Sequence, residues 1–101
     1  MRSKYEIRAQ KELERDGWVV DNKAGMAFYA KNRDFFHLFD LVAVKRGEKI
    51  RYIAIKGQSG GYKDLAPKIQ AFWMPDCCIK ELWRWPKKTD RKKEAWLKTI
   101  L

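Results

Sequence analysis

The first regular pattern in the chain is an apolar residue at every fourth position over residues 5–13. This spacing places the apolar side chains on one face of a helix. Ser3 and Glu6 form a capping box at its start, and Gly17 is a typical C-terminal stop. The pattern therefore predicts an amphipathic helix over residues 4–16.

Runs typical of β-strands follow this helix. Residues 18–20 predict a short strand, and residues 26–30 are a further candidate. Two longer runs, residues 39–45 and 50–56, are apolar on both faces near their middles, as central strands covered on two sides are. Residues 46–48, with Gly at their centre, predict a tight loop that joins these two runs into a hairpin.

The length of this loop fixes the register of the hairpin. A three-residue loop pairs Lys45 with Lys49 and, counting outward, sets Asp40 opposite Ala54. Side chains alternate along a strand, so Ala54 and Lys56 would share the face of Asp40. A two-residue loop would slip the pairing by one residue and move Asp40 to the other face.

The C-terminal half predicts a helix, a strand and a second helix. An apolar stripe over residues 64–74, with Asp64 as the N-cap, predicts the middle helix. Residues 77–85 predict a strand. Asp90 is expected to cap a final short helix, whose inward side chains are predicted to be Trp96, Leu97 and Ile100.

The predicted element order is α-β-β-β-α-β-α within a single domain of residues 1–101. A chain of this length can form one hydrophobic core and not two. The order predicts an α/β fold with a mixed sheet of about four strands. We expect the first helix to lie against one face of the sheet and the middle helix against another.

The charge of the chain indicates a polyanionic partner. Lys and Arg number 23 against 13 Asp and Glu, a net charge of +10 at pH 7. Nucleic acid is the expected partner, because phosphate neutralisation releases counterions. The alternative is a protein that is merely basic and soluble. The candidate DNA-contacting residues are Lys63, Arg84, Lys87, Lys88, Arg91, Lys92 and Lys93.

Other features narrow the class of protein. No stretch approaches the ~20 apolar residues of a membrane span, so we expect no membrane contact. The N-terminus turns charged within a few residues, which predicts no signal peptide and an intracellular, cytoplasmic location in a viral, archaeal or bacterial system. The adjacent pair Cys77 and Cys78 is interpreted as two half-buried small residues, and with His37 as the one histidine a structural zinc site is excluded.

Asp40 and Lys56 are the strongest candidates for chemistry. A divalent metal ion that cleaves phosphodiesters needs hard oxygen ligands, and Mg²⁺ usually takes one or two carboxylates with water and phosphate. A nearby lysine can neutralise the scissile phosphate. Taken singly, Asp40 would be a turn carboxylate and Lys56 a solvated strand end. Their predicted position together on one hairpin favours a functional site.

These residues resemble the PD-(D/E)XK nuclease superfamily. A helix with Glu6, a strand that opens with Asp40 and a strand that ends with Lys56 are similar to its archaeal and viral Holliday-junction resolvase branch. The resemblance covers roughly residues 3–85 and implies a restriction-endonuclease-like core. It implies that Asp40 and Glu6 bind Mg²⁺, or Mn²⁺, and that Lys56 is catalytic. Gln58 resembles a polar residue near the metal, with an ordinary loop residue as the alternative.

Ala54 departs from the family pattern, which has an acidic residue at this position. Alanine supplies no ligand, so metal affinity and cleavage should both be weakened. An inactivating substitution explains this, and the persistence of Asp40, Lys56 and Glu6 favours it. Natural loss of the ligand is the alternative. The expected function is a Mg²⁺-dependent DNA endonuclease that is impaired in this form, and the alternative is a non-catalytic nucleic-acid-binding module with the same fold.

Aromatic residues complete the predictions. Trp18, Trp73 and Trp96 lie on apolar stripes and are predicted to be core. Trp83 and Trp85 are either core or, with the basic residues beside them, a stacking surface for unpaired bases. Resolving a junction takes two symmetric cuts, which implies a homodimer. The candidate exposed apolar residues for its interface are Phe35, Phe36, Phe39 and Trp73.

Overall fold

The computed structural model describes residues 4–22, 36, 38–57, 62–85 and 96–101. These residues form two helices and a single five-stranded sheet with strand order β1-β2-β3-β4-β5. The elements in chain order are α1 Lys4–Arg15, β1 Val19–Asn22, β2 Leu41–Val44, β3 Ile50–Lys56, α2 Tyr62–Ala71, β4 Cys78–Arg84 and β5 Leu97–Ile100.

The sheet is mixed. Strands β1, β2 and β3 form an antiparallel meander, and β5 is antiparallel to β4. The chain crosses through α2 between β3 and β4, which are parallel. In the β2–β3 hairpin, Leu41 pairs with Ile53 and Ala43 with Arg51, the register that the three-residue loop predicts. Gly47 at the centre of that loop has φ 82°, a left-handed conformation that glycine adopts at little cost.

Local hydrogen bonds explain where α1 ends. The Trp18 amide donates to the Leu13 carbonyl at 3.1 Å, and the Gly17 amide donates to the Glu14 carbonyl at 3.1 Å. This pair of bonds, with Gly17 at φ 92°, is a Schellman cap. The predicted helix and its glycine stop are confirmed, with the last helical residue at Arg15.

The two helices cover opposite faces of the sheet, as expected. On the α1 face, Ala9 and Leu13 pack in one buried cluster with strand residues that include Ile53 and Trp83. On the α2 face, Ile69 packs in a second cluster whose other buried members are Phe39, Ala54 and Leu82. Alternation along β3 produces this division, since Ile53 and Ile55 point to one side and Ala54 to the other.

The predicted final helix is wrong over residues 97–100, which form β5. This segment pairs with β4, so the main-chain amides and carbonyls of Leu97–Ile100 form hydrogen bonds with those of the β4 edge. Trp96 is buried as predicted, but Leu97 and Ile100 are 43% and 72% exposed. The sheet therefore has five strands rather than about four. The predicted cap Asp90 and the candidate strand 26–30 lie outside the described residues.

The middle helix begins at Tyr62 rather than at Asp64, which lies inside its first turn. Its C-terminal end is tied to β4 by Lys80, whose ammonium donates to the carbonyls of Ile69, Gln70 and Phe72 at 2.6–2.9 Å. A cation at this place interacts favourably with the partial negative charge of the helix C-terminus.

Several predicted burials are corrected. Trp73 follows α2 and is 79% exposed, which corrects its predicted burial and agrees with its place among the candidate exposed residues. Its neighbours Phe72 and Met74 instead pack against the cluster of the α2 face. Phe39 is fully buried, whereas it was expected to be exposed. Cys77 is exposed and Cys78 half-buried, and both are free thiols. Phe35 lies outside the described residues.

Candidate functional site

Asp40 and Lys56 lie at the same end of the sheet. Strand β2 begins immediately after Asp40 and the antiparallel strand β3 ends at Lys56, so the hairpin brings both residues to one edge. Asp40 is only 7% exposed. Its Oδ2 accepts a hydrogen bond from the Ile55 amide at 2.7 Å, which holds the carboxylate against the main chain of β3.

The pairing between the two strands changes at Asp40. The Asp40 amide donates to the Ile53 carbonyl at 2.9 Å, although Leu41 is the residue that pairs with Ile53. Two residues of one strand therefore face one residue of the other, which is the arrangement of a β-bulge. The strict alternation that predicted a shared face for Asp40 and Ala54 stops at Leu41, and Phe39 packs in the Ala54 cluster.

Ala54 is 0% exposed, and its methyl group is packed among the apolar side chains beneath α2. The position has no ligand to offer. A carboxylate introduced here would lose its hydration unless a cation or hydrogen-bond donors replaced the water.

Lys56 is half-buried and lies beside Arg84, its partner in the parallel pairing of β3 and β4. Residues that pair across parallel strands project to the same face, so two cationic side chains stand next to each other at this edge. The ladder continues one step further, because the Trp85 amide donates to the Lys56 carbonyl at 2.9 Å. The sequence had suggested each cation separately, but their adjacency depends on a crossover register that local patterns do not contain.

The first turn of α1 packs on the end of β3. A Cβ built on Gly57 would lie 2.5 Å from Cε2 of Tyr5, so the ring and the backbone are in direct contact. Glu6, the next residue, is 8% exposed. A glutamate is rarely this buried at a helix start unless it has partners. The structure thus brings Glu6 to the same end of the sheet as Asp40 and Lys56.

The other predicted site residues are exposed, buried or outside the described residues. Lys63 is exposed on α2. Trp83 is 0% exposed and Trp85 is 9% exposed, so both are core, which confirms the first of the two interpretations and excludes the stacking surface. The predicted residues that fall outside the described part of the chain are Gln58, Lys87, Lys88, Arg91, Lys92 and Lys93.

The donors at this edge suit a hard divalent cation, because Asp40 and Glu6 carry carboxylates. The predicted set is two carboxylates, one fewer than the family resemblance implies. Within residues 4–22, 36, 38–57, 62–85 and 96–101, no group of three or more His, Cys, Asp and Glu side chains could hold a metal ion.

A second charged cluster, which the sequence analysis missed, lies in the α1 face. Glu81 is 3% exposed and binds Arg51 through two hydrogen bonds, Nε to Oε2 at 2.5 Å and Nη2 to Oε1 at 2.8 Å. The Trp83 indole donates to Glu81 Oε1 at 2.9 Å. The Arg51 guanidinium also lies over Trp18, with its Cζ 4.7 Å from the ring centroid. The sequence contains a signal for this cluster. Arg51 and Glu81 are charged residues within apolar runs, and alternation places them on the same face as Ile53 and Trp83.

The charged groups of this cluster stabilise the fold, because they are paired with one another and with the Trp83 indole. The hydrogen bond that Arg51 donates to Glu81 is the main cause that raises the pKa of Arg51, and burial opposes it. An open groove of about 530 Å³ lies beside the pair, and its lining includes Trp18, Glu48 and Ile100. The lining also includes Gly47 of the hairpin loop, so the groove is at the end of the sheet opposite to Asp40 and Lys56.

Comparisons of this chain with protein-family models, with curated proteins and with solved structures found no match in any of the three. Within the described ranges, none of the helices has the length and apolar character needed to cross a membrane. The sheet edge that carries Asp40, Lys56 and Glu6 is therefore the candidate functional site.

Proposed function

We propose that this chain is a DNA-acting domain with the layout of a Mg²⁺-dependent endonuclease, impaired by alanine at position 54. The observation that carries the proposal is the hairpin register, which places Asp40 and Lys56 at one end of the sheet. The packing of Tyr5 on Gly57 supports it by bringing Glu6 to that end.

Each residue has a distinct role in this proposal. Asp40 and Glu6 would hold the divalent cation, and Lys56 with Arg84 would neutralise a phosphate at the sheet edge. Bound Mg²⁺ would supply an activated water and stabilise the leaving oxygen. The hydrogen bond from the Ile55 amide orients the Asp40 carboxylate before any ligand arrives.

Under this proposal, we expect the present form of the chain to cleave DNA weakly. A metal held by fewer carboxylates binds less tightly, and position 54 contributes only a buried methyl group. Restoring an acid at this position therefore gives the most direct test.

The test compares Ala54→Glu with Ala54→Gln, which has nearly the same shape and no charge. Both variants should be destabilised, because each buries a polar group in an apolar cluster. We expect Mg²⁺ to raise the melting temperature of Ala54→Glu and not of Ala54→Gln. We also expect Ala54→Glu alone to nick branched and linear DNA in Mg²⁺, and a further Lys56→Met change to abolish the nicking.

A folded Ala54→Glu protein that neither responds to Mg²⁺ nor cleaves DNA would contradict the missing-ligand explanation. Circular dichroism establishes folding independently of activity. If the longer side chain prevents folding, Ala54→Asp provides a shorter acid for the same measurements.

A second candidate is a non-catalytic DNA-binding module with the same layout, and the complete burial of Ala54 favours it. The two candidates differ in their response to Asp40→Asn. Loss of Mg²⁺ binding in this variant would favour the nuclease. An unchanged affinity for both Mg²⁺ and DNA would favour the binding module, with Asp40 serving as the partner of the Ile55 amide.

Junction resolution is a narrower form of the nuclease proposal and requires a two-fold dimer. Light scattering at micromolar protein concentration tests it directly. A strictly monomeric protein would eliminate symmetric resolution and leave simple nicking as the activity.

A further inference from the structure

Three aromatic rings, those of Phe36, Tyr52 and Phe72, form a contact group near the end of α2. Together with the neighbouring residue Trp73, we call them the aromatic platform. The Phe36 ring centroid lies 5.7 Å from that of Tyr52 and 5.2 Å from that of Phe72. Trp73 follows Phe72 directly. Phe36 is 54% exposed and Trp73 is 79% exposed, so the platform presents large rings to solvent.

Phe36 is held in an unfavourable backbone conformation. Its φ of 54° is in the left-handed region. This conformation is energetically unfavourable for a bulky L-amino acid. About half of the side chain is exposed, so burial offsets only part of this cost. Its ring is nevertheless fixed against Phe72 and Tyr52, which leaves one surface of the aromatic group accessible.

The platform is too small to explain a stable dimer by itself. A specific protein interface buries roughly 800 Å² on each partner through about 20–30 residues. A second copy would also bring the same net charge of +10. A nucleic acid brings the opposite charge, and each of its unpaired bases has a flat face that matches an exposed aromatic ring.

Cationic groups adjoin the platform. The Lys80 ammonium donates to the carbonyls of Ile69, Gln70 and Phe72, so it contributes positive charge near the rings and no free donor for a phosphate. Lys68 is exposed one turn before Phe72, whose amide donates to the Lys68 carbonyl at 3.2 Å. Aromatic faces with neighbouring cations suit a single strand, whose bases stack while its phosphates are neutralised.

We propose that the aromatic platform binds single-stranded DNA by stacking its unpaired bases on Trp73 and Phe36. This inference rests on the proposed action on DNA and adds the substrate class, since a nuclease or binding module with this surface would prefer DNA that has an unpaired segment. The platform consists of Tyr52 on β3, Phe36 before β2, and Phe72 and Trp73 directly after α2, and it uses none of the three residues Asp40, Lys56 and Glu6.

The experiment measures binding and not cleavage, so that it stands apart from the catalytic proposal. Fluorescence anisotropy gives the affinity of the full chain for a single-stranded oligonucleotide, for a duplex, and for a matched oligonucleotide with abasic sites. Trp73→Leu keeps an apolar side chain and removes the aromatic face, whereas Trp73→Phe keeps a face. Ile100→Ala is the control, because Ile100 is also exposed, at 72%, and lies on β5.

We expect Trp73→Leu to weaken single-strand binding about 5- to 140-fold, which corresponds to about 1–3 kcal/mol per stacked base. Trp73→Phe should retain most of the affinity, and Ile100→Ala should match the parent. The slope of affinity with salt should stay unchanged, because no phosphate contact is lost. Abasic sites should weaken binding to the parent much more than binding to Trp73→Leu.

Phe36→Gly gives a second variant that cannot fail through backbone strain, because glycine accepts the left-handed conformation. We expect its melting temperature to be retained and its single-strand affinity to fall. Unchanged single-strand affinity in both Trp73→Leu and Phe36→Gly would overturn the platform while leaving DNA binding intact. A parent that binds neither single strands nor duplex would overturn the proposed function as well, and a dimer that Trp73→Leu dissociates would assign the platform to self-association.

Discussion

The two faces of the sheet bury different chemistry. The α1 face contains a carboxylate and a guanidinium, Glu81 and Arg51, among tryptophan rings. The buried cluster of the α2 face consists of Phe39, Ala54, Ile69 and Leu82. Charge is tolerated on the α1 face because Glu81 receives hydrogen bonds from both the Arg51 guanidinium and the Trp83 indole.

The difference shows what a carboxylate needs in this fold. On the α1 face, the donors that surround Glu81 replace the water it loses on burial. At Ala54 on the other face, the neighbouring buried side chains are apolar. An acid at position 54 would therefore depend on a bound cation for its stability, which makes that position a sensitive test of function.

The largest expected effect comes from Glu81→Ala, which leaves the half-buried Arg51 without its carboxylate partner. We expect a loss of about 3–5 kcal/mol in the free energy of unfolding, measured by equilibrium denaturation in urea. Glu12→Ala is the matched control, because the Glu12–Lys98 pair is partly exposed at 36% and 42%. Its cost should stay below about 1 kcal/mol. Equal costs for the two variants would refute the role assigned to the buried pair.

On the α2 face, Ile69→Ala should lose about 2–5 kcal/mol through lost burial and a residual cavity. Ile69 is 0% exposed, whereas Leu65 on the same helix is half-buried. Leu65→Ala should therefore cost less in the same urea titration. A larger cost at Leu65 would mean that α2 is anchored by its first turns and not by Ile69.

Gly57→Ala tests the attachment of α1 at the candidate site. The new methyl group would meet the Tyr5 ring, and we expect a loss of about 1–3 kcal/mol. The double variant Gly57→Ala with Tyr5→Ala measures the contact, because removing the ring should cancel part of the cost of the methyl group. Strict additivity of the two single variants would show that α1 does not press on the end of β3.

The smallest effect concerns alkaline pH. Burial raises the pKa of Tyr52, and the neighbouring thiols Cys78 and Cys77 raise it further. A raised pKa favours the protonated phenol in the folded protein, so its stabilising contribution is complete below the ordinary tyrosine pKa and is lost as pH rises through the folded value. Tyr52→Phe should reduce the alkaline loss of stability. An identical alkaline melting profile in this variant would contradict the assignment.

Local patterns predicted much of the fold. The Tyr5-to-Leu13 repeat and Gly17 sufficed for α1, because its cap is made by neighbouring residues. The length of the Gly47 loop sufficed for the hairpin register. Strand β5 escaped prediction, because its short sequence becomes a strand only when the edge of β4 offers a partner. Trp73 was predicted to be core because the apolar stripe does not reveal where α2 ends.

The candidate site was predictable only in part, because some of its contacts are local in the chain and others form only in the tertiary structure. Asp40 and Lys56 are joined by a local hairpin, and their common edge follows from its register. The bulge at Asp40 and the contact of Lys56 with the Arg84 strand depend on tertiary structure. The partnership of Glu81 with Arg51 is likewise made by the parallel crossover, which no local pattern specifies.

The parallel pairing of β3 with β4 also has a kinetic consequence. Strands β2 and β3 are joined by a short loop, whereas all of α2 lies between β3 and β4. The entropy lost in closing a loop grows with its length, and long-range contacts slow folding. We therefore expect the hairpin to form early and the docking of β4 to limit the folding rate. The Arg51–Glu81 ion pair, which joins these two strands, would then form late and act mainly to slow unfolding.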